Sequence, residues 1–510
     1  MSPVGDRESL IRALLELRRA ALEEETKLEA ELAGVHPDHQ AGARNLIHYL
    51  SLRRHDVRDL QAELARLGLS SLGRLEHCCL ATLNATTRAL CALEKRPWPR
   101  ELEQAPPTDF DSGTRILSRH AEALLGKTPE RRRARIMVTV SPKLDPGTIP
   151  KLLGAGMTIA RINAAKGDTE TFAALVDSVR RASRSCGREC RILFDLGGPN
   201  PRSLLFDRLK RPRKLRVRDR FAIARDEQAA QRLLDRGLKG VIGCSLEQIL
   251  DDLRAGEHLS YDDGKVRGVV CAVDADGAVI SVRQVIGDRA RLKPDKTLNF
   301  PDSDLALPSL TSKDSEDLDF ATAHTDMIGT SFVRTPEDVD ALLGELDRRR
   351  ADRLGLVLKI ETAKAVDDFP RLLFKALQRE RVGVMVARGD MAMELGYARL
   401  SEAQEDLLWL CEASLVPTIW ATQVLESLNK TGIPTRGDVT DAAMSARAEA
   451  VMLNHGDHLL ETVEFLRDVL ERMQEHREKK RSLSRKLDVS AIGAAHPHRY
   501  SPWPVHERAP

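Results

Sequence analysis

The feature that most constrains this fold is a repeated alternation of short β-branched runs with amphipathic helical segments, which starts near residue 134. Strands that alternate with helices predict parallel pairing. The right-handed crossover rule leaves a closed (β/α)8 barrel and an open doubly wound sheet as candidates, and the count of eight favours the barrel. The eight predicted strands are RIMVTV, MTIARI, CRILFDL, TDMIGTSF, LGLVLKI, RVGVMVA, VPTIWAT and EAVMLN.

The regions around these strands suggest further domains. Residues 1–95 contain three stretches with leucines at helical spacing, so we expect an all-helical N-terminal segment. Residues 96–133 begin Pro-rich and polar and read as a linker. We assign 134–201 and 301–485 to the barrel. Residues 202–300, rich in Val, Gly and Asp, predict an inserted small β domain, and 486–510 predict a flexible tail.

Composition excludes several classes of function. A net charge of +2 gives no field that would favour nucleic acid, and no apolar run approaches the roughly 20 residues that span a bilayer. The N-terminus lacks the apolar core of a signal peptide. Eight cysteines without a CxxC pair indicate free thiols in a reducing cytoplasm.

Polar side chains mark the predicted C-terminal ends of the barrel strands, where such barrels keep their reactive groups. Glu361 and Asp390 offer hard oxygen ligands suited to Mg²⁺ or Mn²⁺. Lys359 and Arg161 are cations suited to a phosphoryl group, and Thr422 offers a hydroxyl. Together these groups indicate phosphoryl transfer or enolate chemistry.

Each of these signals has an ordinary structural explanation when taken alone. A Lys-x-Glu at a strand end is commonly an ion pair, Arg-Gly-Asp is a common turn, and the threonine of ATQVLES could cap a helix. The functional interpretation therefore depends on the order of the motifs and on their placement at successive strand ends.

Several motifs resemble the pyruvate kinase family. GLVLKIETAKAVDDF is similar to the family strand that ends in Lys-Ile-Glu, and GVMVARGDMAMELG is similar to its VARGDLG motif. PTIWATQVLESLNKTGIPTRGDVTDAA, MVTVSPKLDPGTIPKLLGAGMTIARINAAKG, LFDLGGPNPR, GTSFVR and the segment that begins LNFPDSDLALP follow the family in the same order. The resemblance runs from about residue 135 to about 481. It implies a TIM barrel with a β-barrel lid as the insertion.

The resemblance implies a reaction and a set of roles. The family transfers phosphate from phosphoenolpyruvate to ADP, giving pyruvate and ATP, with magnesium and often potassium. Lys359 would stabilise the phosphoryl group in flight, and Glu361 and Asp390 would hold the divalent ion. Arg161 would contact the substrate phosphate and Arg202 the nucleotide phosphates. Thr422 would lie beside the enolate, and the remaining substrate- or nucleotide-binding positions would be Asn163, Gly389 and Asp390.

The monovalent-cation site departs from the family pattern. Asn163 and Asp195 are present, but Ala165 and Leu196 replace a serine and a threonine that supply oxygen ligands. We therefore expect activity that is independent of potassium. Lys166, at a position usually His, either supplies the missing charge or is a solvated surface lysine.

Other departures leave the function open to alternatives. The loop after Asn454 is shorter than in the family and lacks its glutamate, and the sequence stops soon after the last barrel helix, so we expect no C-terminal regulatory domain. The helical segment would cap the lower face of the barrel or mediate homo-oligomerisation. The alternatives to a kinase are a metal-dependent lyase or aldolase acting on pyruvate enolate, and a degenerate barrel that serves as a scaffold.

Overall fold

The computed structural model describes residues 7–206, 214–479 and 481–482. The predicted tail over 486–510 lies outside the described residues. None of the helices in the described ranges combines the length and the apolar character needed to cross a bilayer.

The N-terminal part of the chain is helical. Its helices are α1 (Arg7–Lys27), α2 (Glu29–Ala33), α3 (Gln40–Arg53), α4 (Arg58–Arg66), α5 (Cys79–Leu93) and α6 (Ser112–Leu125). The helical segment expected before residue 95 is confirmed. The predicted linker differs from expectation, because α6 lies within it.

The barrel begins after α6 and is interrupted once. Its first part contains β1 (Arg135–Val140), α7 (Thr148–Ala155), β2 (Met157–Asn163), α8 (Thr169–Cys186) and β3 (Arg191–Asp195). The insertion follows with β4 (Ser203–Leu204), β5 (Lys214–Leu215), β6 (Arg220–Ala224), α9 (Glu227–Asp235), β7 (Val241–Cys244), β8 (His258–Tyr261), β9 (Val266–Asp274), β10 (Gly277–Val285), β11 (Ala290–Arg291) and β12 (Leu298–Asn299). Seven of its strands form one sheet in the order β12-β8-β9-β10-β6-β7-β4, and β5 pairs with β11.

The second part of the barrel completes the alternation of strands and helices. It contains α10 (Ser312–His324), β13 (Met327–Thr330), α11 (Pro336–Arg348), β14 (Gly355–Ile360), α12 (Ala363–Asp367), α13 (Phe369–Ala376), β15 (Val382–Ala387), α14 (Arg388–Leu395), α15 (Tyr397–Ala413), β16 (Thr418–Ala421), α16 (Glu426–Thr431), α17 (Arg436–Ser445), β17 (Ala450–Leu453) and α18 (Leu459–Gln474). A two-residue pair, β18 (Arg477–Glu478) with β19 (Arg481–Ser482), follows.

All eight predicted barrel strands are present, and they close into a parallel barrel in the order β1-β2-β3-β13-β14-β15-β16-β17. The closed (β/α)8 barrel is therefore confirmed, and the open sheet is excluded. Apolar side chains fill the barrel centre as a packed core, among them Met137, Ile159, Met327, Val357 and Met385. Closure brings the C-terminal ends of all eight strands to one mouth.

Helix α6 seals the lower end of the barrel. Its Leu124 is 2% exposed and belongs to the central apolar cluster. A Cβ added at Gly355 or at Gly383 would lie 2.4 Å from a methyl group of Leu124. The first residues of β14 and β15 therefore include a glycine, because the side chain of Leu124 occupies the space where a Cβ would lie.

The rest of the helical segment packs against the same lower end. Asn45 Nδ2 donates to the carbonyl of Ala413 at 2.8 Å, and His120 Nδ1 contacts the carbonyl of Leu415 at 2.8 Å. His39 Nε2 lies 2.9 Å from the carbonyl of Glu380. Glu380 lies just before β15, whereas Ala413 ends α15 and Leu415 lies in the turn that leads to β16. The segment thus caps the lower face of the barrel, as one of the two sequence-based alternatives proposed.

Two buried histidines lie side by side at this contact, with their rings tilted by 60°. The rings of His39 and His120 lie 4.5 Å apart, and burial lowers the pKa of both; the pKa of His39 falls to about 4 from its usual 6.5. The charge of His120 adds to the effect on His39, while the carbonyl of Glu380 and the charge of Asp38 oppose it. The unfolded state therefore binds the proton more readily than the folded state.

We expect the stability that this histidine contributes to be complete above pH 6.5 and to be lost as the pH falls toward 4. The free energy of unfolding should drop by about 2 kcal/mol between pH 7 and pH 5 from His39 alone. Urea denaturation at the two pH values measures the drop. The variant His39→Gln should flatten the dependence, and His55→Gln, at an exposed histidine of the same segment, should keep it.

Candidate active site

The ammonium group of Lys359 is the centre of the polar cluster at the barrel mouth. It lies at the end of β14, is 7% exposed, and donates to Ser331 Oγ at 2.6 Å. It also pairs with Asp195 Oδ1 at 3.1 Å and with Glu361 Oε1 at 3.0 Å. Burial alone would lower the pKa of Lys359, but the two carboxylates outweigh it and raise that pKa. Lys359 is therefore held as a cation.

Asp195, at the end of β3, connects Lys359 to Arg161 on the neighbouring strand. Both Nε and Nη2 of Arg161 donate to Asp195 Oδ2, the first at 2.7 Å, and Nη1 donates to Thr139 Oγ1 at 3.1 Å. Burial would raise the pKa of Asp195, but attraction by Lys359 and Arg161 is stronger and lowers it. The carboxylate is ionised and fixes both cations at the mouth.

Glu361 and Asp390 form a pair of crowded carboxylates beside Lys359. Burial, opposed by Lys359 and reinforced by the charge of Asp390, raises the pKa of Glu361 to about 7. Burial also raises the pKa of Asp390. Because the two acids repel each other in a poorly solvated site, a divalent cation between them would relieve the repulsion. The donor set therefore fits a hard metal ion.

The pair would supply only part of a coordination shell. In the part of the chain that the structure describes, His, Cys, Asp and Glu side chains form no group of three or more with metal-holding geometry. Magnesium in proteins commonly keeps several waters and takes one or two carboxylates plus substrate oxygens. Two protein ligands are consistent with that pattern.

Ser331 and the turn after β13 hold this cluster in place. Ser331 Oγ donates to the carbonyl of Leu196 at 2.6 Å, so the same oxygen is oriented to accept from Lys359. The next residue, Phe332, has φ of +58° and its N–H donates to Glu361 Oε2 at 2.8 Å. Ser331 was not among the predicted site residues. Ser331 also follows a barrel strand at its C-terminal end, so the criterion that identified the other site residues applies to it as well.

A further acid, Glu394, lies near Asp390, and it was also not among the predicted site residues. Burial, opposed by the N–H of Ala363 and reinforced by Asp390, raises the pKa of Glu394 to about 7. Hydrogen bonds from Asn299 favour the ionised forms of both Asp390 and Glu394. Asn299 belongs to β12 of the insertion, and its sequence context gave no signal of a role at the mouth.

The insertion contributes charges to the mouth through Arg202 and Asp263. Arg202 lowers and Asp263 raises the pKa of Asp390, so both lie within electrostatic reach of it. Arg202 Nη1 contacts the carbonyl of Asp295 at 3.4 Å, and its side chain is 31% exposed. The same Nη1 lies 3.7 Å from the carboxylate of Asp295, so the guanidinium is held within the insertion and is partly exposed.

Thr422 and Gly389 meet at the ends of β16 and β15. Thr422 has φ of +74°, a conformation that costs on the order of 1–3 kcal/mol for a β-branched residue. A Cβ at Gly389 would lie 2.7 Å from Thr422 Cγ2, so this close approach requires glycine. Arg388 supports the turn, since its Nη2 donates to the carbonyl of Thr422 at 2.7 Å and its guanidinium pairs with Asp441.

The residues of the predicted monovalent-cation site differ in their burial and in their hydrogen-bond partners. Asn163 Oδ1 accepts from the N–H of Ala165 at 3.1 Å and so stabilises its own turn. Leu196 is buried, whereas Lys166 lies on the exposed part of that turn. The negative charge of Asp195 is balanced by Arg161 and Lys359 in the described structure.

The short loop after β17 is held by one asparagine. Asn429 Nδ2 donates to the carbonyl of Asn454 at 2.7 Å, and the N–H of His458 donates to the carbonyl of Asn429 at 3.0 Å. Helix α18 begins at Leu459, directly after this loop. The loop is therefore tied to the start of the next helix rather than extended over the mouth.

The fold is a TIM barrel, and its C-terminal mouth holds the ammonium of Lys359, the guanidinium groups of Arg161 and Arg202, and several carboxylates. Such barrels keep their functional groups at this end. The family model described as pyruvate kinase, barrel domain, matches residues 131–458. The chain belongs to the pyruvate kinase family.

Individual relatives agree with the family model. The chain is 28% identical over 383 residues to a pyruvate kinase of Staphylococcus saprophyticus, and the matched residues cover 72% of this chain and 62% of that protein. It is 28% identical over 361 residues to a pyruvate kinase of Bacillus licheniformis, with coverages of 69% and 59%. It is 31% identical over 333 residues to a pyruvate kinase of Mycobacterium tuberculosis, with coverages of 63% and 65%. The chain spans about three fifths of the length of these relatives.

Proposed function

We propose that this protein transfers phosphate from phosphoenolpyruvate to ADP and produces pyruvate and ATP. The observation that carries the proposal is the buried ammonium of Lys359, fixed between Asp195 and Glu361 on a mouth that also holds Arg161 and Asp390. A phosphoryl group in flight carries negative charge on its oxygens, and a preorganised cation stabilises that charge without reorganisation.

Different side chains at the mouth have different roles in the proposed reaction. Arg161 and Lys359 bind the substrate phosphate and hold it in line with the nucleotide, whose phosphates Arg202 meets from the insertion. Thr422, at its strained turn, lies where the enolate gains a proton, and Asn163 and Gly389 border the same space. A magnesium or manganese ion on Glu361 and Asp390, when bound, would polarise the phosphate and enolate oxygens.

The proposed reaction is a step of glycolysis in the cytoplasm. This location is consistent with the eight cysteines, all of which are free thiols. The short loop held by Asn429 leaves the base of the nucleotide with fewer contacts than a longer loop would give. We therefore expect weak discrimination among nucleoside diphosphates.

A single assay tests the proposal against the alternatives. The purified chain is incubated with phosphoenolpyruvate, ADP and magnesium, and pyruvate and ATP are followed together. Stoichiometric appearance of both products supports the kinase. Pyruvate released from a longer keto acid without nucleotide would instead identify a lyase or aldolase, and the absence of both turnover and metal binding would identify a scaffold.

We expect the activity to be independent of potassium. Two oxygen ligands are replaced by Ala165 and Leu196, and the charge of Asp195 is already balanced by Arg161 and Lys359. Rates in potassium chloride and in tetramethylammonium chloride should agree within about twofold at equal ionic strength. A large stimulation by potassium would contradict the expectation. The variant Lys166→Ala shows whether that exposed lysine takes any part, since only a compensating ammonium would make its loss restore potassium dependence.

A further inference from the structure

A cavity of about 220 Å³ lies at the lower end of the barrel, between α6 and the residues that lead into β1 and β17. The helical segment, the barrel and α18 each contribute to its wall. Because β1 and β17 start here, the cavity is at the opposite end of the barrel from Lys359. It is separate from the candidate active site. Its hydrogen-bonding neutral side chains are Thr114, Ser118, Thr128, His77 and Gln474.

The charged side chains of this lower cavity are predominantly basic. Four cations and two carboxylates line it: Arg133, Arg135, Arg447, Lys479, Glu412 and Glu449. Both carboxylates are already engaged. Glu449 Oε2 accepts from the N–H and the hydroxyl of Thr418 at 2.8 and 3.0 Å, and its other oxygen pairs with Lys479. Glu412 faces His77 Nδ1 at 3.7 Å.

Two of the guanidinium groups that line the cavity are buried. Arg135 is 2% exposed, and it donates to neutral oxygens, the carbonyl of Gly126 at 2.7 Å and the hydroxyl of Thr128 at 2.8 Å. Arg447 is 7% exposed and pairs with Glu405 through Nη1, while its Nε finds no acceptor among the described residues. Buried positive charge, with the Nε–H of Arg447 as a spare donor, favours an anionic ligand.

The size of the cavity limits that ligand. Sites for drug-sized molecules and cofactors occupy about 300–1,000 Å³, so a nucleotide exceeds this space. A small organic acid would fit it, with carboxylates toward the guanidinium groups and polar substituents toward the hydroxyls of α6.

The position of α6 would connect such a ligand to the barrel. The same helix that lines the cavity with Leu117 and Ser118 carries Leu124, which packs against Gly355 and Gly383. Those glycines lie in β14 and β15, whose opposite ends lead to Lys359, Glu361 and Asp390. A ligand in the cavity would contact the helix that supports both strands.

We propose that this lower cavity is a binding site for a small organic anion, most directly a dicarboxylate, that links the helical segment to the barrel floor. Phosphate shares the required charge, so the two chemistries are separated by experiment. The full chain is titrated calorimetrically with succinate and, separately, with inorganic phosphate at constant ionic strength.

Two matched pairs of variants locate the binding. Arg133→Glu reverses a charge of the cavity, whereas Arg131→Glu makes the same change at an exposed residue outside it. Ser118→Trp obstructs the cavity from the exposed face of α6, and Arg115→Trp adds the same bulk elsewhere on that helix. All four residues are exposed, so the variants should fold. We expect succinate affinity to fall at least about tenfold in the first member of each pair only.

The remaining outcomes decide the proposal. Equal weakening in both members of a pair would overturn it, and so would the absence of binding of either probe. Lys359→Met separates the two anion sites, because binding that this variant removes and Arg133→Glu leaves intact would belong to the mouth and would also overturn the proposal. Tighter binding of phosphate than of succinate, still sensitive to Arg133→Glu, would keep the site and reassign its ligand to a phosphate.

Discussion

Replacing Lys359 by methionine should lower the rate of pyruvate and ATP formation by at least about 10³-fold, the range that single preorganised charges contribute to transition states. Methionine retains the apolar length of the side chain but removes the ammonium that faces Asp195 and Glu361. Glu361 would then lose the cation that it faces, and Asp195 would keep only Arg161. The measurement is kcat from the coupled pyruvate assay at saturating magnesium.

The same substitution should also destabilise the fold, because it leaves two buried carboxylates with less compensating charge. Breaking a buried pair typically costs about 3–5 kcal/mol, so the assay must be run well below the melting temperature of the variant. Lys364→Met is the matched control. Lys364 is about half exposed and pairs with the exposed Asp304 at 2.9 Å, so the control should keep both activity and stability. A Lys359→Met protein that is folded and fully active would refute the phosphoryl-transfer proposal.

The variant Glu361→Gln should lose the stabilisation that a divalent ion gives to the native protein. Adding Mn²⁺ to the unmodified chain should raise its melting temperature, because the ion relieves the repulsion between Glu361 and Asp390 in the folded state only. The amide has the shape of the acid but not its charge. We expect the affinity for Mn²⁺ to fall at least about 100-fold and turnover to fall with it.

Glu402→Gln on α15 makes the same change at an exposed position and should leave the manganese response unaltered. The outcome that would contradict the metal site is a Glu361→Gln protein whose melting temperature still rises with Mn²⁺ as in the unmodified chain. Asp390→Asn should behave like Glu361→Gln. If only one of the two variants loses the response, the ion is bound by one carboxylate and not by the pair.

The strand pattern was sufficient to predict the barrel. All eight runs proposed as strands form β1, β2, β3 and β13–β17, because each combines β-branched residues with a length that favours a buried parallel strand. The same pattern placed Arg161, Asp195, Lys359 and Glu361 at strand ends, and closure of the barrel brings them within hydrogen-bonding distance of their neighbours.

Other elements gave no local signal. The stretch over 96–133 reads as a linker because it begins Pro-rich and polar, although α6 within it carries apolar residues at helical spacing. Only the space beneath Gly355 and Gly383 explains where Leu124 is buried. Asn299 reaches the mouth from a strand of the insertion, and nothing in its neighbouring sequence indicates two acidic partners.

The sequence by itself determined the periodicity, and with it the strands, the helices and the end of each strand at which charged residues stand. Those properties depend on residues close together along the chain. Apart from the local pair of Lys359 with Glu361, the tertiary structure alone decided which charges pair, which carboxylates become crowded and which helix fills the floor. Such contacts join residues tens to hundreds of positions apart. Packing and desolvation set their energies, and both depend on the arrangement of all the elements at once.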